Sequence, residues 1–256
     1  MNCVNLSVVF YEKTLGSTRF FVFSELEQIP GLLQAFTTRA TDHLVRDAPI
    51  ALEVAPGKSL FLSTLGIRPE QVVQLKQVHS DRVIKIDSSY DHGAKPQQAD
   101  GIQLARAGFF AVIKTADCAP IIAVHPKSRS ICALHAGWRG TRDRITRKAL
   151  TRFLADTGAS PEELLVAIGP SIRRCCYEVG EEVLEQFDQA GHDMSLIASG
   201  RQLDIVEANR AQVEELGIER FLDSGMCTAC RTDLFYSYRR EGKTGRLWAL
   251  AGFRNW

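Results

Sequence analysis

The sequence predicts an α+β fold in which mixed β-sheets form a layered sandwich flanked by helices. Short apolar segments typical of strands occur throughout the 256 residues, and segments with apolar residues at helical spacing lie among them. Strands and helices do not alternate strictly, which disfavours a doubly wound parallel sheet. No low-complexity linker or strong internal repeat separates two parts of the chain. We therefore predict a single domain over residues 1–256.

The composition excludes several classes of protein. Apolar residues make up 45% of the chain, enough for a well-buried core, and the net charge of +1 creates no overall field that attracts nucleic acid or anionic lipid. No signal peptide is visible at the start, and no apolar stretch approaches the ~20 residues of a membrane span. We expect a soluble cytoplasmic protein without nucleic-acid or membrane partners, either a monomer or a weak homo-oligomer.

The first half of the chain contains a predicted helix over Gly57–Leu65, followed by Gly66, and a polar loop over Tyr90–Ala99. Six strands are predicted there, at Val8–Tyr11, Arg19–Phe23, Val72–Val78, Arg82–Ile86, Gly101–Leu104 and Phe109–Lys114. We expect the strand at Arg82–Ile86 to pair with the strand at Val72–Val78.

The centre of the chain is a predicted hairpin with strands at Pro120–His125 and Ser130–Leu134. Turn-forming residues occupy the four positions between the strands. From Thr141 onward, apolar residues recur at helical spacing until Gly158, which predicts a helix. The basic residues of that helix are interpreted as a solvated surface rather than a nucleic-acid site.

The remaining elements are shorter. A strand is predicted at Leu164–Ile168, a helix after Gly180, and a final strand at Arg246–Ala251. Asp204 is the expected N-cap of a further helix that ends near Gly217.

Three strand-like segments end at a possible metal ligand, namely His79, Cys118 and His135. Two imidazoles and one thiolate suit zinc, and a fourth position left to water is typical of a catalytic rather than a structural zinc site. The spacing alone is a weak signal, because the ligands are distant in sequence and each also suits a purely structural role.

Two neighbours of these ligands are candidate catalytic residues. Asp117 adjoins Cys118 and could act as a general acid or base, or alternatively support the ligands or cap the strand end. Arg139 lies in the glycine turn Gly137–Gly140, where its guanidinium could bind phosphate oxygens. The alternative for Arg139 is an ordinary surface arginine.

The seven cysteines do not indicate a disulfide framework, because their number is odd and they are scattered over a long chain. Cys227 and Cys230 form a single CxxC pair, which by itself is a poor zinc-ribbon signal and a weak redox signal. We therefore treat Cys230 as incidental. A bond between the adjacent Cys175 and Cys176 would be strained.

Several short motifs, taken together and in this order, resemble the YfiH-like laccase-domain family, which is also called peptidoglycan editing factor or purine nucleoside phosphorylase laccase-domain proteins. The similarity covers roughly residue 30 to the C-terminus. The most specific motifs are Thr115-Ala116-Asp117-Cys118-Ala119-Pro120 and His135-Ala136-Gly137-Trp138-Arg139-Gly140. The others include Lys76-Gln77-Val78-His79, Ala99-Asp100-Gly101, Cys176-Tyr177-Glu178-Val179 and Ser237-Tyr238-Arg239-Arg240.

The resemblance implies an α+β fold and a zinc site with ligands at His79, Cys118 and His135. It also implies phosphorolysis of adenosine, inosine, guanosine or methylthioadenosine to the base and ribose 1-phosphate, with a possible adenosine deaminase activity. The expected partners are therefore a purine nucleoside and phosphate.

Four further residues are candidates for substrate binding. Phe36 and Tyr238 could stack on a purine base, although aromatic residues more often pack in a core. Arg39 and Arg239 are cationic candidates that suit a plain surface role equally well.

Three alternative functions remain open on the residues. Cys118 could be a nucleophile activated by histidine, as in an amidase, a peptidase or an enzyme that edits peptidoglycan precursors. A copper polyphenol oxidase is disfavoured, because the chain has only six histidines and no His-x-His pair, although copper could enter an N/S site adventitiously. A non-catalytic module with structural zinc would need a fourth ligand, for which Asp117 or His125 is available.

Overall fold

The computed structural model describes residues 9–42, 56–87 and 96–255. Its architecture is layered, with two six-stranded mixed sheets and helices packed on the outer faces. This arrangement confirms the α+β layered sandwich predicted from the sequence. The predicted Tyr90–Ala99 loop falls mainly outside the described residues, as does Val8. Within the described residues, no helix is long and apolar enough to cross a membrane.

The first sheet has the strand order β1-β2-β3-β14-β7-β4 and the second has the order β13-β10-β8-β9-β6-β5, while β11 and β12 form a small hairpin. The strands, in chain order, are β1 Phe10–Leu15, β2 Thr18–Phe23, β3 Leu32–Thr37, β4 Val72–Gln74, β5 Val83–Ile86, β6 Gly101–Leu104, β7 Phe110–Thr115, β8 Ala119–His125, β9 Ser130–Ala136, β10 Leu165–Ile168, β11 Ala198–Ser199, β12 Gln202–Leu203, β13 Phe221–Asp223 and β14 Leu247–Phe253. The helices are α1 Ser24–Glu27, α2 Pro56–Thr64, α3 Trp138–Arg142, α4 Ile145–Thr157, α5 Glu181–Gln189, α6 Met194–Ile197, α7 Ile205–Glu214 and α8 Tyr238–Glu241.

The predicted pairing of the Val72–Val78 and Arg82–Ile86 strands is wrong. Strand β4 pairs in parallel with β7 of the first sheet, whereas β5 pairs in parallel with β6 of the second. The chain between them therefore passes from one sheet to the other, and it is the segment that carries His79. Local alternation of apolar residues cannot distinguish a hairpin from such a crossing, because both contain two adjacent apolar strands.

The central hairpin of β8 and β9 is buried on both faces, which explains its nearly continuous apolar sequence. Ile122 and Val124 point into the core between the two sheets, and Ile121 and Ala123 point into the core beneath the helices. Since successive side chains of a strand face opposite sides, one strand supplies both cores. The predicted hairpin is confirmed, with β9 extended by two residues.

The helix predicted from Thr141 to Gly158 is in fact two helices. Arg144 has a positive φ of 60°, and this left-handed residue separates α3 from α4. Gly158 ends α4 in the left-handed conformation, as the sequence predicted. Asp204 caps α7 by accepting a hydrogen bond from the Glu207 backbone N–H at 3.0 Å, which confirms that prediction.

Candidate metal centre and adjoining pocket

The three predicted ligands meet at one point. A nitrogen from each of His79 and His135 and the Cys118 sulfur all lie within 4.8 Å of one another. The hairpin brings two of them together, because residue 119 pairs with residue 136 and places Cys118 beside His135. The chain crossing between the sheets supplies His79, whose ring centroid lies 4.9 Å from that of His135.

The backbone around this group adopts uncommon conformations. His79 and Asp117 have φ values of 61° and 89°, in the region that non-glycine residues seldom occupy. Gly137 is also constrained, because a Cβ atom there would lie 3.0 Å from a ring carbon of His79 and 3.1 Å from the Cys118 sulfur. Conformations of this kind concentrate at functional sites, where the surrounding structure enforces them.

Asp100 organises the ligands from a fully buried position. Its Oδ1 accepts hydrogen bonds from His135 Nδ1 at 2.8 Å and from the His79 backbone N–H at 3.0 Å. Its Oδ2 accepts hydrogen bonds from the backbone N–H groups of Val78 and Ser80 and from the Ser80 hydroxyl. Burial opposes ionisation of Asp100, but hydrogen bonds from His135 and Ser80 outweigh it and lower its pKa to about 2.

Cys118 and His135 shift each other's pKa. Burial opposes the charged form of each, but the opposite charge of the partner outweighs it. The pKa of Cys118 is lowered to about 6, and the pKa of His135 is raised to about 9 with additional support from Asp100. Metal ions bind the thiolate form of cysteine, and a lowered pKa makes that form more abundant at neutral pH.

The donor set fits a metal with an open coordination position. Within the described part of the chain, this group contains three ligands, and neither Asp117 nor His125 belongs to it. His125 lies at the other end of β8 and contacts Ser128 through Nδ1 at 2.8 Å. His135 has the orientation typical of a metal ligand, because Asp100 holds Nδ1 and leaves Nε2 for the ion. These observations weigh against the closed structural zinc site that the sequence left open.

Asp117 is held firmly by hydrogen bonds. Its Oδ1 accepts a hydrogen bond from the Thr228 hydroxyl at 2.6 Å, and its Oδ2 accepts hydrogen bonds from the Ser237 hydroxyl at 3.0 Å and the Arg239 backbone N–H at 2.7 Å. The carboxylate thereby connects the metal-ligand loop to the start of α8. The general acid or base role predicted for Asp117 stays a prediction.

Arg139 is exposed at the start of α3, and its guanidinium lies 4.2 Å from the centre of the Trp138 ring. The described residues place no carboxylate within ion-pair distance of it. Trp138 also lines a cavity of about 380 Å³ together with Tyr177, Arg239 and Arg201. Trp138 directly follows Gly137, which lies against His79 and Cys118, and the Arg239 N–H donates a hydrogen bond to Asp117, the neighbour of Cys118, so the cavity adjoins the ligand group.

The four predicted substrate-binding residues have different surroundings. Phe36 is 2% exposed and packs against Phe23 in the core, which leaves no face of its ring for a ligand in this conformation. Tyr238 is 61% exposed. Arg39 donates a hydrogen bond to the Thr232 carbonyl at 2.8 Å and pairs with Glu241.

Arg239 is the cationic candidate that the structure brings to the cavity. Its guanidinium donates hydrogen bonds to the carbonyl oxygens of Cys176 and Glu178 and lies 5.1 Å from the centre of the Tyr177 ring.

Sequence reasoning missed several residues of this site. The roles of Asp100, Trp138 and Tyr177 had no local signal beyond their presence in the quoted motifs. Cys230, which the sequence left as incidental, has its sulfur grouped with those of Cys175, Cys176 and Cys227. Chain folding brings together two loops about 50 residues apart, a proximity that no sequence spacing indicates.

These features define a class of α+β protein in which a three-ligand candidate metal centre adjoins a small-molecule cavity. The chain belongs to the YfiH-like laccase-domain family, since the family described as "Multi-copper polyphenol oxidoreductase laccase" matches residues 36–254. The family assignment made from the motifs is thereby confirmed.

Two similar proteins and a solved structure agree with this assignment. The chain is 38% identical to a purine nucleoside phosphorylase of Deinococcus radiodurans over 204 residues, which cover 78% of this chain and 77% of the relative. It is 32% identical to adenosine deaminase RL5 of an unknown prokaryotic organism, over 75% of this chain and 78% of the relative. The crystal structure of YlmD from Geobacillus stearothermophilus superposes with a TM-score of 0.81 at 26% identity, over 97% of this chain and all of that one.

Proposed function

We propose that this protein is a zinc-dependent purine nucleoside phosphorylase that converts adenosine, inosine, guanosine or methylthioadenosine and phosphate to the free base and ribose 1-phosphate. The observation that carries the proposal is the open N/N/S ligand group beside a cavity with aromatic and cationic walls. The names of several relatives support the same activity.

Zinc is the proposed ion because its tetrahedral geometry accepts imidazole and thiolate ligands together. His79, Cys118 and His135 would hold it, with Asp100 fixing the proton of His135 on Nδ1. When bound, a zinc ion with an open position supplies Lewis-acid polarisation of an oxygen ligand.

The cavity suits the proposed substrates. Its volume of about 380 Å³ falls within the range of roughly 300–1,000 Å³ found for small-molecule sites. Trp138 and Tyr177 offer aromatic faces for a flat purine base. We assign phosphate binding to Arg139, which has no carboxylate partner among the described residues, and to the guanidinium of Arg239.

Phosphorolysis forms a bond between ribose C1′ and a phosphate oxygen and breaks the bond between C1′ and the purine nitrogen, while the departing purine takes up a proton. Arg139 and Arg239 would hold phosphate near the reacting carbon, and Tyr177 would orient the nucleoside. Asp117 is the proposed acid or base, and its contact with the Arg239 backbone also positions that arginine.

Two other activities make distinct predictions at the same site. An adenosine deaminase, the name of one relative, would release inosine and ammonia without phosphate. A cysteine hydrolase is supported by the lowered pKa of Cys118 beside His135, but it needs a thiolate free of metal. A copper oxidase would need more histidine ligands than this site offers, because among the described histidines just two, His79 and His135, belong to a ligand group.

The test is a product assay on adenosine with zinc-loaded protein, with and without phosphate. We expect adenine and ribose 1-phosphate to appear only when phosphate is present. Cys118→Ala should lose both this zinc and the activity, while Cys132→Ala, which removes a buried thiol of β9 outside the ligand group, should keep both. Turnover that persists in Cys118→Ala without metal at this site, or inosine as the main product in phosphate, would refute the proposal.

A further inference from the structure

A second sulfur-rich group lies outside the centre described above. The sulfur atoms of Cys175, Cys176, Cys227 and Cys230 all lie within 4.8 Å of one another. The first two belong to the turn before Tyr177, and the other two belong to the loop after β13. The two loops are joined by backbone hydrogen bonds between Ser171 and residues 226 and 228.

The spacing of these sulfur atoms suits a single tetrahedral ion. Cys230 Sγ lies 3.7 Å from Cys175 Sγ and 3.4 Å from Cys176 Sγ. Four thiolates about 2.3 Å from a zinc ion are separated from one another by about 3.8 Å. The observed distances are well above the roughly 2.05 Å of a disulfide, and they leave no room for the bridging sulfides of a multi-iron cluster.

The loop that carries Cys227 and Cys230 is fixed by its own hydrogen bonds. Cys227 is buried, and its backbone carbonyl accepts a hydrogen bond from the Arg231 N–H at 3.0 Å. The guanidinium of Arg240 lies against the same loop, where it donates hydrogen bonds to the carbonyl oxygens of Thr228 and Ala229 at 2.9 Å and 2.8 Å.

We propose that Cys175, Cys176, Cys227 and Cys230 form a second zinc site, in which four thiolates fill all coordination positions and the ion has a structural role. Zinc is the ion because a closed set of four sulfur ligands is typical of structural zinc. The site is chemically different from the His79 group, which has three ligands and an open position.

This site would fasten one wall of the substrate cavity. Cys176 precedes Tyr177, which lines the cavity, and Cys227 precedes Thr228, whose hydroxyl donates a hydrogen bond to Asp117 at 2.6 Å. A single ion that joins the two loops would therefore hold both residues in place. The proposal rests on the four thiolates and stands whether or not the protein is a phosphorylase.

The experiment counts zinc by elemental analysis of protein purified under reducing conditions and dialysed without chelator. We expect two zinc ions per chain in the natural protein and one in each of Cys230→Ser and Cys118→Ala. Cys132→Ala, the matched control, should keep two.

Spectroscopy of Cys118→Ala makes the test independent of whether Cys230→Ser folds. Cobalt-loaded Cys118→Ala should show intense sulfur-to-cobalt charge-transfer absorption. In zinc-loaded Cys118→Ala, X-ray absorption at the zinc K-edge should indicate four sulfur neighbours and no imidazole. The proposal would be overturned if the natural protein bound one zinc per chain and Cys230→Ser retained it. A disulfide among the four cysteines in protein that has never been oxidised would also overturn it.

Loss of the second zinc in Cys230→Ser with retained zinc in the His79 group would confirm the new site regardless of the assay result. Conversely, failure of phosphorolysis with two zinc ions bound would refute the proposed function alone.

Discussion

Replacing Asp100 with Asn tests the hydrogen-bond arrangement that holds the metal ligands. The variant keeps the shape of the side chain but exchanges one acceptor oxygen for an NH₂ donor. In the natural protein, the two oxygens accept five hydrogen bonds, from His79, His135, Val78 and Ser80. Asn cannot accept all of them in either orientation.

The cost can be worked out for each orientation. If the amide nitrogen replaces Oδ1, it faces the His79 N–H and His135 Nδ1, and His135 must move its proton to Nε2, the atom needed by the metal. If the nitrogen replaces Oδ2, it faces the N–H groups of Val78 and Ser80. The His79 N–H loses its acceptor in the first case, and the N–H groups of Val78 and Ser80 lose theirs in the second. At roughly 1–3 kcal/mol for each group, the lost stability is about 1–3 kcal/mol in the first case and about 2–6 kcal/mol in the second.

The assay has two readouts. Chemical denaturation of metal-free protein should show the stability loss, and competition with a zinc chelator should show a roughly 10–100-fold weaker affinity at the His79 group, the usual effect of removing a carboxylate behind a histidine ligand. Asp81→Asn is the matched control, because Asp81 pairs with Lys148 at the surface of the same segment and should change stability by no more than ~0.5 kcal/mol.

A result in which Asp100→Asn keeps zinc affinity within twofold and stability within about 1 kcal/mol would refute the reasoning. It would mean that the buried carboxylate neither orients His135 nor holds the loop that carries His79.

Further predictions concern phosphate, packing and pH. Arg139→Ala should raise the KM for phosphate at least ~10-fold and change the KM for nucleoside little, while Arg152→Ala, an exposed arginine on α4, should change neither in initial-rate measurements. Gly137→Ala should weaken zinc binding in the chelator assay, because its Cβ would crowd His79 at 3.0 Å, and unchanged affinity would contradict the observed packing. The pKa of Asp100 is lowered from 3.8 to about 2, so its ionised form contributes roughly 2 kcal/mol to stability above about pH 4, and this contribution is lost as the pH falls to about 2. Denaturation over that pH range should therefore show that the difference in unfolding free energy between the natural protein and Asp100→Asn becomes smaller as the pH falls. A difference that stays constant would argue against the lowered pKa.

The fold class, most of the elements and the three metal-ligand candidates could be predicted from local sequence patterns and motifs. The hairpin of β8 and β9 was predictable because its apolar residues and turn formers are contiguous, and contiguous patterns reflect local physics. The family motifs added His79, Cys118 and His135 as a set, although nothing in their spacing required them to meet.

The distant segments that meet in the folded protein could not be predicted in this way. The β4–β7 and β5–β6 pairings depend on a chain crossing between the two sheets. The contact of the Asp100 carboxylate with His135 and the gathering of Cys230 with Cys175 and Cys176 depend on the pairing of neighbouring strands in the second sheet, β6 with β9 and β10 with β13. Such contacts are selected by the total burial and hydrogen bonding of the folded chain rather than by any local pattern. A pattern of neighbouring residues therefore indicates where the elements lie, whereas only the packed sheets place the donor atoms within reach of one ion.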